Sequence, residues 1–510
     1  MRILPISLGL HLSLGFRYSG LSRRNLPLSP LFSSYKSNQE FVDTIRANIH
    51  GAKSTDIADI LDEIDFRVNS FDFVTLCECL LTLINSETKR NDRLHNLISE
   101  TFNALERSTI KDRQNFGVTP QAIANLLNAL IRSGYTWEQI HSNSRETLTK
   151  HIQDILSNMG SPFSVISEIS WCLGKLKYSP DSTTFQLLVK IPETHTVTDV
   201  CVSKLVHGFF LLGINWNQLS KASKRNLIIA GVASMRDMND YSLSNYLYAL
   251  AKMAAPWSAF DAVQLEQLFV HLKRVVPLMN DVVLSNVLWS LGRLGCRANT
   301  IPYHILRTIY HRINELSPLG PPTFASTVFS LNMMGIQYQN LPNITVIDME
   351  SCFGIYVNPS EISVSTLIYG LGCMGFKLSG ASSSVQNILF SAIHGILPNI
   401  TVQGLANIMY GLAKMADVDV SNGNMGGVFI EIIDAIRVMI PKFVSSQGLS
   451  NTIWSLGQLC SRHDRISRIT AANGPLLDSI YEAIGRHTGK MNEQAFSNIM
   501  SGLAKVNCSC

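Results

Sequence analysis

Signatures of chemistry are scarce in this sequence. It has no His-Glu-x-x-His, no Gly-x-Ser-x-Gly and no regularly spaced carboxylate cluster, and its 13 histidines are dispersed. Metalloprotease, α/β-hydrolase and paired-carboxylate chemistry therefore have no foothold. Gly485-Arg486-His487-Thr488-Gly489-Lys490 has one residue too few between its glycines and no Ser or Thr after its lysine, so it is not a phosphate-binding loop. Ten cysteines never form a Cys-x-x-Cys; scattered through apolar patterns, they read as reduced, buried thiols. Cys77-Glu78-Cys79 and Cys508-Ser509-Cys510 are read in the same way rather than as metal ligands. We expect no enzymatic activity, no catalytic or metal-binding residue, no cofactor and no small-molecule substrate. An unbroken membrane span is missing too. The uncharged stretch from Leu378 to Ala413 is interrupted by Gly, Ser, Asn, Gln and Pro398, which excludes a transmembrane helix and membrane insertion.

Acidic residues are absent from the first 39 positions, which hold Arg2, Arg17, Arg23, Arg24, Lys36 and eight serines. That is the composition of an organelle transit peptide. A secretory leader fits less well, because prolines and His11 interrupt the apolar stretch from Ile3 to Phe16 and the arginines follow it. Arg17-Tyr18-Ser19 resembles a mitochondrial processing site, and the sequons at Asn343 and Asn399 would matter only in a secreted chain. The expected destination is the mitochondrion, with the chloroplast or another plastid as the alternative. The formal charge of +4 belongs to this leader: the remainder carries 37 Lys and Arg against 38 Asp and Glu. Such a body binds nucleic acid only through a local stripe of charge.

What the sequence does have is repetition. LSNYLYALAKM (243–253), LSNVLWSLGRL (284–294), LANIMYGLAKM (405–415) and LSNTIWSLGQL (449–459) are near-copies, and weaker copies begin at Leu76, Ile123, Ile166, Val202, Phe324, Val364 and Phe496. With the third template position as column zero, the copies recur every 36 to 47 residues, 42 on average. That period fits a two-helix repeat with a first helix A, a turn marked by Gly or Pro, and a second helix B such as Ala262 to Val276. The expected fold is all-α: a right-handed αα-repeat solenoid of about 11 degenerate repeats of about 42 residues. Residues 1–39 form the leader, expected to be disordered, 40–68 a helical lead-in and 69–510 the solenoid, whose last repeat is incomplete because the sequence stops just after a helix A.

On a helical wheel, columns −2, +1, +2, +5 and +8 share one arc and are almost uniformly apolar, the mark of a core face. Column +4 is small in every copy, as close helix packing requires. The opposite arc carries three other columns. Asn occupies column zero at Asn125, Asn245, Asn286, Asn407, Asn451 and Asn498. Rings occupy column +3 at Trp171, Tyr248, Trp289, Phe329, Tyr369, Tyr410 and Trp454. Cations occupy column +7 at Arg132, Lys175, Lys252, Arg293, Lys414 and Lys505. Amides meet base edges, rings stack on bases and cations neutralise phosphates, so this arc is a candidate track for single-stranded RNA, about one nucleotide per repeat. Each column also has a structural explanation: amide ladders or amide-to-backbone bonds, ring packing between repeats, and cations complementing the helix dipole.

The Leu-Ala/Ser-Asn-x-x-Trp/Tyr-Ser/Ala/Gly-Leu-Gly/Ala-Lys/Arg-Leu/Met pattern resembles the octotricopeptide and heptatricopeptide repeats of organellar RNA-binding proteins over roughly residues 70–510. The resemblance implies a nucleus-encoded, imported protein acting in RNA processing, stability, translation or ribosomal RNA maturation, with single-stranded organellar RNA and other RNA-processing proteins as partners. Two departures stand out. The period exceeds the 37 to 38 residues of those families, which points to longer loops such as Asp417 to Gly427. The RAP domain that ends many relatives has no place before Cys510. The alternative from a different class is a protein-protein interaction scaffold of HEAT or armadillo type.

Overall fold

A computed structural model describes residues 38–49, 60, 64, 71–85, 92–110, 118–195, 197, 201–342, 352, 359–415 and 423–507. Among them are 22 α-helices and no strand. The chain is an all-α helical-repeat protein. After α1 (Asn38–Ile49), the eleven template copies fall, to within a residue or two, on eleven helices: α2 (Phe73–Asn85), α4 (Pro120–Arg132), α6 (Phe163–Lys175), α8 (Val202–Leu211), α10 (Asp240–Lys252), α12 (Asp281–Leu294), α14 (Pro321–Met333), α15 (Glu361–Cys373), α17 (Val402–Lys414), α19 (Ser446–Cys460) and α22 (Glu493–Asn507). Between them lie the B helices α3 (Asp92–Ile110), α5 (Ser142–Ser157), α7 (Ser182–Thr194), α9 (Lys221–Ser234), α11 (Ala262–Val275), α13 (Tyr303–Leu316), α16 (Ser383–Ile396) and α18 (Gly423–Met439), and the pair α20 (Asp464–Ala471) and α21 (Gly474–His487). Helix α18 starts at Gly423, so the long loop expected over Asp417 to Gly427 is shorter at its C-terminal end. Most of the expected leader, Cys508 and Cys510 lie outside the described residues.

The described chain divides into two compact units. The first holds its residues through Met238 together with 252–264; the second holds 239–251 and 265–507. In the first, α2, α4, α6 and α8 pack in succession as one layer and α3, α5, α7 and α9 as another. In the second, α12, α14, α15, α17, α19 and α22 pack in succession, with α16, α18 and α21 in the second layer.

The repeat registers itself at both ends of helix A. Thr119, Asn280, Ser360, Thr401 and Ser445 cap α4, α12, α15, α17 and α19, each accepting a backbone N–H of the first turn. After helix A, column +9 has positive φ in seven successive repeats: Gly134, Lys177, Gly213, Ala254, Gly295, Gly335 and Gly375. Left-handed backbone stops the helix and, in all of these repeats but that of Lys177, sends the chain into a short 3-10 turn that opens at column +12. There the backbone N–H of Trp137, Trp216, Ala298 and Tyr338 donates to the column +8 carbonyl of the next repeat, Leu176, Met253, Met334 and Met374, at 2.8–2.9 Å. The turn is thereby stitched to its neighbour without side chains.

The core arc is buried as its period predicts, save at Leu212, which is part-exposed, and on α22, where Phe496 and Met500 are 53% and 52% exposed. Column +4 lets the A helices touch backbone to backbone. A Cβ at Gly208 would lie 2.6 Å from the Ser170 carbonyl carbon, and at Gly411 and Gly502 it would strike the Ile368 and Ile453 backbone. Where the column has a hydroxyl, it folds back: Thr82, Ser290, Ser330 and Ser455 donate to the column-zero carbonyl of their own helix at 2.6–2.7 Å. Cys77, Cys79, Cys172, Cys296, Cys352 and Cys460 are buried thiols, and Cys201 and Cys373 are part-exposed; burial pushes Cys79 and Cys296 up to about 12, which leaves them unreactive. No helix among the described residues is long and apolar enough to cross a membrane.

Candidate nucleic-acid interface

Three of the six column-zero asparagines are already engaged, with a partner that the helical wheel did not single out. Gln121, Gln403 and Gln494, one turn earlier, donate through Nε2 to the Oδ1 of Asn125, Asn407 and Asn498 at 3.0, 2.9 and 3.0 Å. Each pair keeps a glutamine carbonyl and an asparagine NH2 for a further partner. Asn407 and Asn451 are nearly buried, at 6% and 9% exposure, whereas Asn125, Asn245, Asn286 and Asn498 are part-exposed.

In the first unit column zero is charged at Glu78, Glu168 and Lys204, and each of these charges is paired. Asn128 donates to Glu168 at 2.8 Å, and Glu168 pairs with Lys204 of the next A helix. Beside them the Lys175 ammonium lies 5.6 Å from the Trp171 ring centre, and burial lowers its pKa. Arg132 is exposed at the end of α4, and Lys252 is part-exposed at the end of α10.

The second unit carries most of the rings, and they pack against one another along the repeats, stacked at Tyr369–Tyr410 and tilted at the other pairs. Tyr248 and Trp289 are 5.3 Å apart, centre to centre; Phe329 and Tyr369, Tyr369 and Tyr410, and Tyr410 and Trp454 follow at 6.0, 5.5 and 5.5 Å. The ring column is therefore also an inter-repeat packing element, and Phe329 and Tyr369 are buried in it. Burial raises the phenol pKa of Tyr248, Tyr369 and Tyr410, which keeps these hydroxyls protonated. The Lys414 ammonium caps the stack, 5.5 Å from the Tyr410 ring centre and 5.3 Å from that of Trp454.

A cavity of about 610 Å³ opens on this face, bounded by α15, α17, α19 and α22. It gathers Tyr369, Tyr410, Lys414, Asn451, Trp454 and Asn498 from the three predicted columns. Asn245, Tyr248, Asn286, Trp289, Arg293, Asn407 and Lys505 stand on the same helix face of the second unit but do not line it. Sequence reasoning missed Gln447, Asn492 and Gln494, which also line it. The signal was present, since Gln recurs four residues before Asn at 121, 403, 447 and 494. Among the described residues the lining has one cation and no carboxylate, so it suits an aromatic ligand carrying negative charge.

The basic column is less regular than its cations suggested. Leu211, Met333, Cys373 and Gln458 occupy the same place on other A helices, so the cations form short groups and not one stripe. No protein-family model and no curated protein matches the chain. Among solved structures it is similar to a chain of a homology model of the full-length AP-3 complex in an intermediate open conformation: 12% identity over 94% of this chain and 84% of that one, TM-score 0.29. It is also similar to UNC-45 from Drosophila melanogaster, 11% identical over 92% of this chain and 82% of that one, TM-score 0.28. TM-scores this low carry no argument about fold or function; the helical-repeat assignment rests on the helices and their succession.

Proposed function

We propose that this helical-repeat protein binds single-stranded RNA on its helix-A face, inside the mitochondrion or a plastid, and acts on that RNA without itself being an enzyme. One observation carries the reading: the acid-free cavity lined by Tyr410, Trp454, Lys414 and a set of amides. Rings, amides and a cation are the three groups that nucleotides engage. The leader composition supports import. The ring column and the cavity concentrate binding in the second unit, so fewer nucleotides are contacted than there are repeats. Other RNA-processing proteins are the expected companions.

A protein-binding scaffold is the second reading. It is favoured by the first unit, where the Glu168–Lys204 pair withdraws a cation from any phosphate. Crosslinking of the tagged protein in cells, with sequencing of bound RNA, separates the two. The wild type should enrich an organellar RNA that the triple variant Arg293→Ala, Lys252→Ala, Lys414→Ala loses. Recovery of protein partners without RNA would establish the scaffold instead.

A further inference from the structure

We propose that the cavity bounded by α15, α17, α19 and α22 seats a single nucleoside monophosphate unit, its base against Trp454 and its phosphate on Lys414. The ring column stops at Trp454: α22 carries Ser501 where its predecessors carry a ring. One aromatic group laid against Trp454 continues the series Phe329, Tyr369, Tyr410, Trp454, whose members are 5.5–6.0 Å apart. Lys414 is the sole cation of the lining among the described residues and lies over the last two rings. With no carboxylate in the lining, among the described residues, to neutralise it, the site favours an anion joined to that aromatic group.

The amides supply the third element. Gln494 donates to Asn498, so the pair turns the glutamine carbonyl and the asparagine NH2 to other partners, the acceptor and donor that a base edge demands. A bare phosphate would leave rings and amides unused, and an aliphatic side chain would leave the amides unpaired. A volume of about 610 Å³ admits one nucleotide. Recognition is then concentrated at one anchor nucleotide instead of one base per repeat.

The RNA reading enters only as the source of the ligand, which is either a residue of a strand or a free mononucleotide. The full chain is titrated calorimetrically with the four 5′-monophosphates, with the nucleosides, with orthophosphate and with single-stranded RNA. At least one monophosphate should bind more tightly than its nucleoside or orthophosphate. Lys414→Gln and Asn498→Asp, the latter an isosteric change that brings a negative charge into the cavity, should each weaken it about tenfold or more. Arg307→Ala, at an exposed position of α13, should leave it unchanged, and all three variants should keep the wild-type circular dichroism and melting profile. Competition between monophosphate and RNA assigns the seat to a residue of the strand; monophosphate binding with no RNA binding keeps the cavity and discards the RNA reading. RNA binding indifferent to both cavity variants, with no monophosphate bound, overturns this proposal alone, and no binding of either ligand overturns both.

Discussion

A methyl group added at Gly411 points into the backbone of the neighbouring A helix at Ile368, whereas one added at Gly395 of α16 meets nothing within 4 Å. The same substitution therefore has opposite signs at the two sites. Gly411→Ala should destabilise the protein by about 1–3 kcal/mol through overpacking, and Gly395→Ala should stabilise it by about 0.5–1 kcal/mol through the smaller entropy of the unfolded chain; urea denaturation of both reads the difference. Two histidines set an acid limit in the same way. Burial, assisted by Lys175 and Arg274 respectively, pushes His207 and His271 down to about 4, and Arg274 already donates to the His271 ring at 3.0 Å. The unfolded chain takes up protons near 6.5 that the folded chain refuses until about 4, so stability should fall as pH drops through that window, by on the order of 2 kcal/mol per histidine. His207→Phe and His271→Phe should flatten the decline between pH 6.5 and 4; an unchanged pH profile in the double variant would show that these rings are solvated.

At the scale of the element, helix A was legible because its columns answer to different forces. The apolar arc is demanded by burial and the small column by backbone contact, and both recur whatever the partner. The stop after helix A was half legible. Glycine at column +9 signals a left-handed residue at Gly134 or Gly295, but Lys177 and Ala254 take the same conformation and give no such sign. The 3-10 turn was not legible, because its stitch to the next repeat is made by backbone groups that every sequence has. The site was legible as a face and not as a cavity. A ring column tells which side Tyr410 and Trp454 occupy, but not that they lie against each other beside a cavity that both line. That contact should appear as coupling: a double-mutant cycle of Tyr410→Leu and Trp454→Leu should give an interaction energy of about 1 kcal/mol, and additive effects would mean that the rings pack independently.

Across the whole molecule, a near-neutral body places its charge unevenly. Ion pairs such as Glu168–Lys204 consume cations in the first unit, while Lys414 stands over rings in the acid-free lining of the second. Binding through a few phosphates has a quantitative consequence, because each one neutralised releases counterions from the strand. The most direct test measures the affinity of the purified full chain for single-stranded RNA across a range of salt concentrations, beside the Lys414→Gln variant. The account predicts a linear fall of log affinity with log salt, with a slope of about −2 for the few contacts available and a shallower slope in the variant. Absence of RNA binding at low salt, or a slope near zero shared by both proteins, would contradict it.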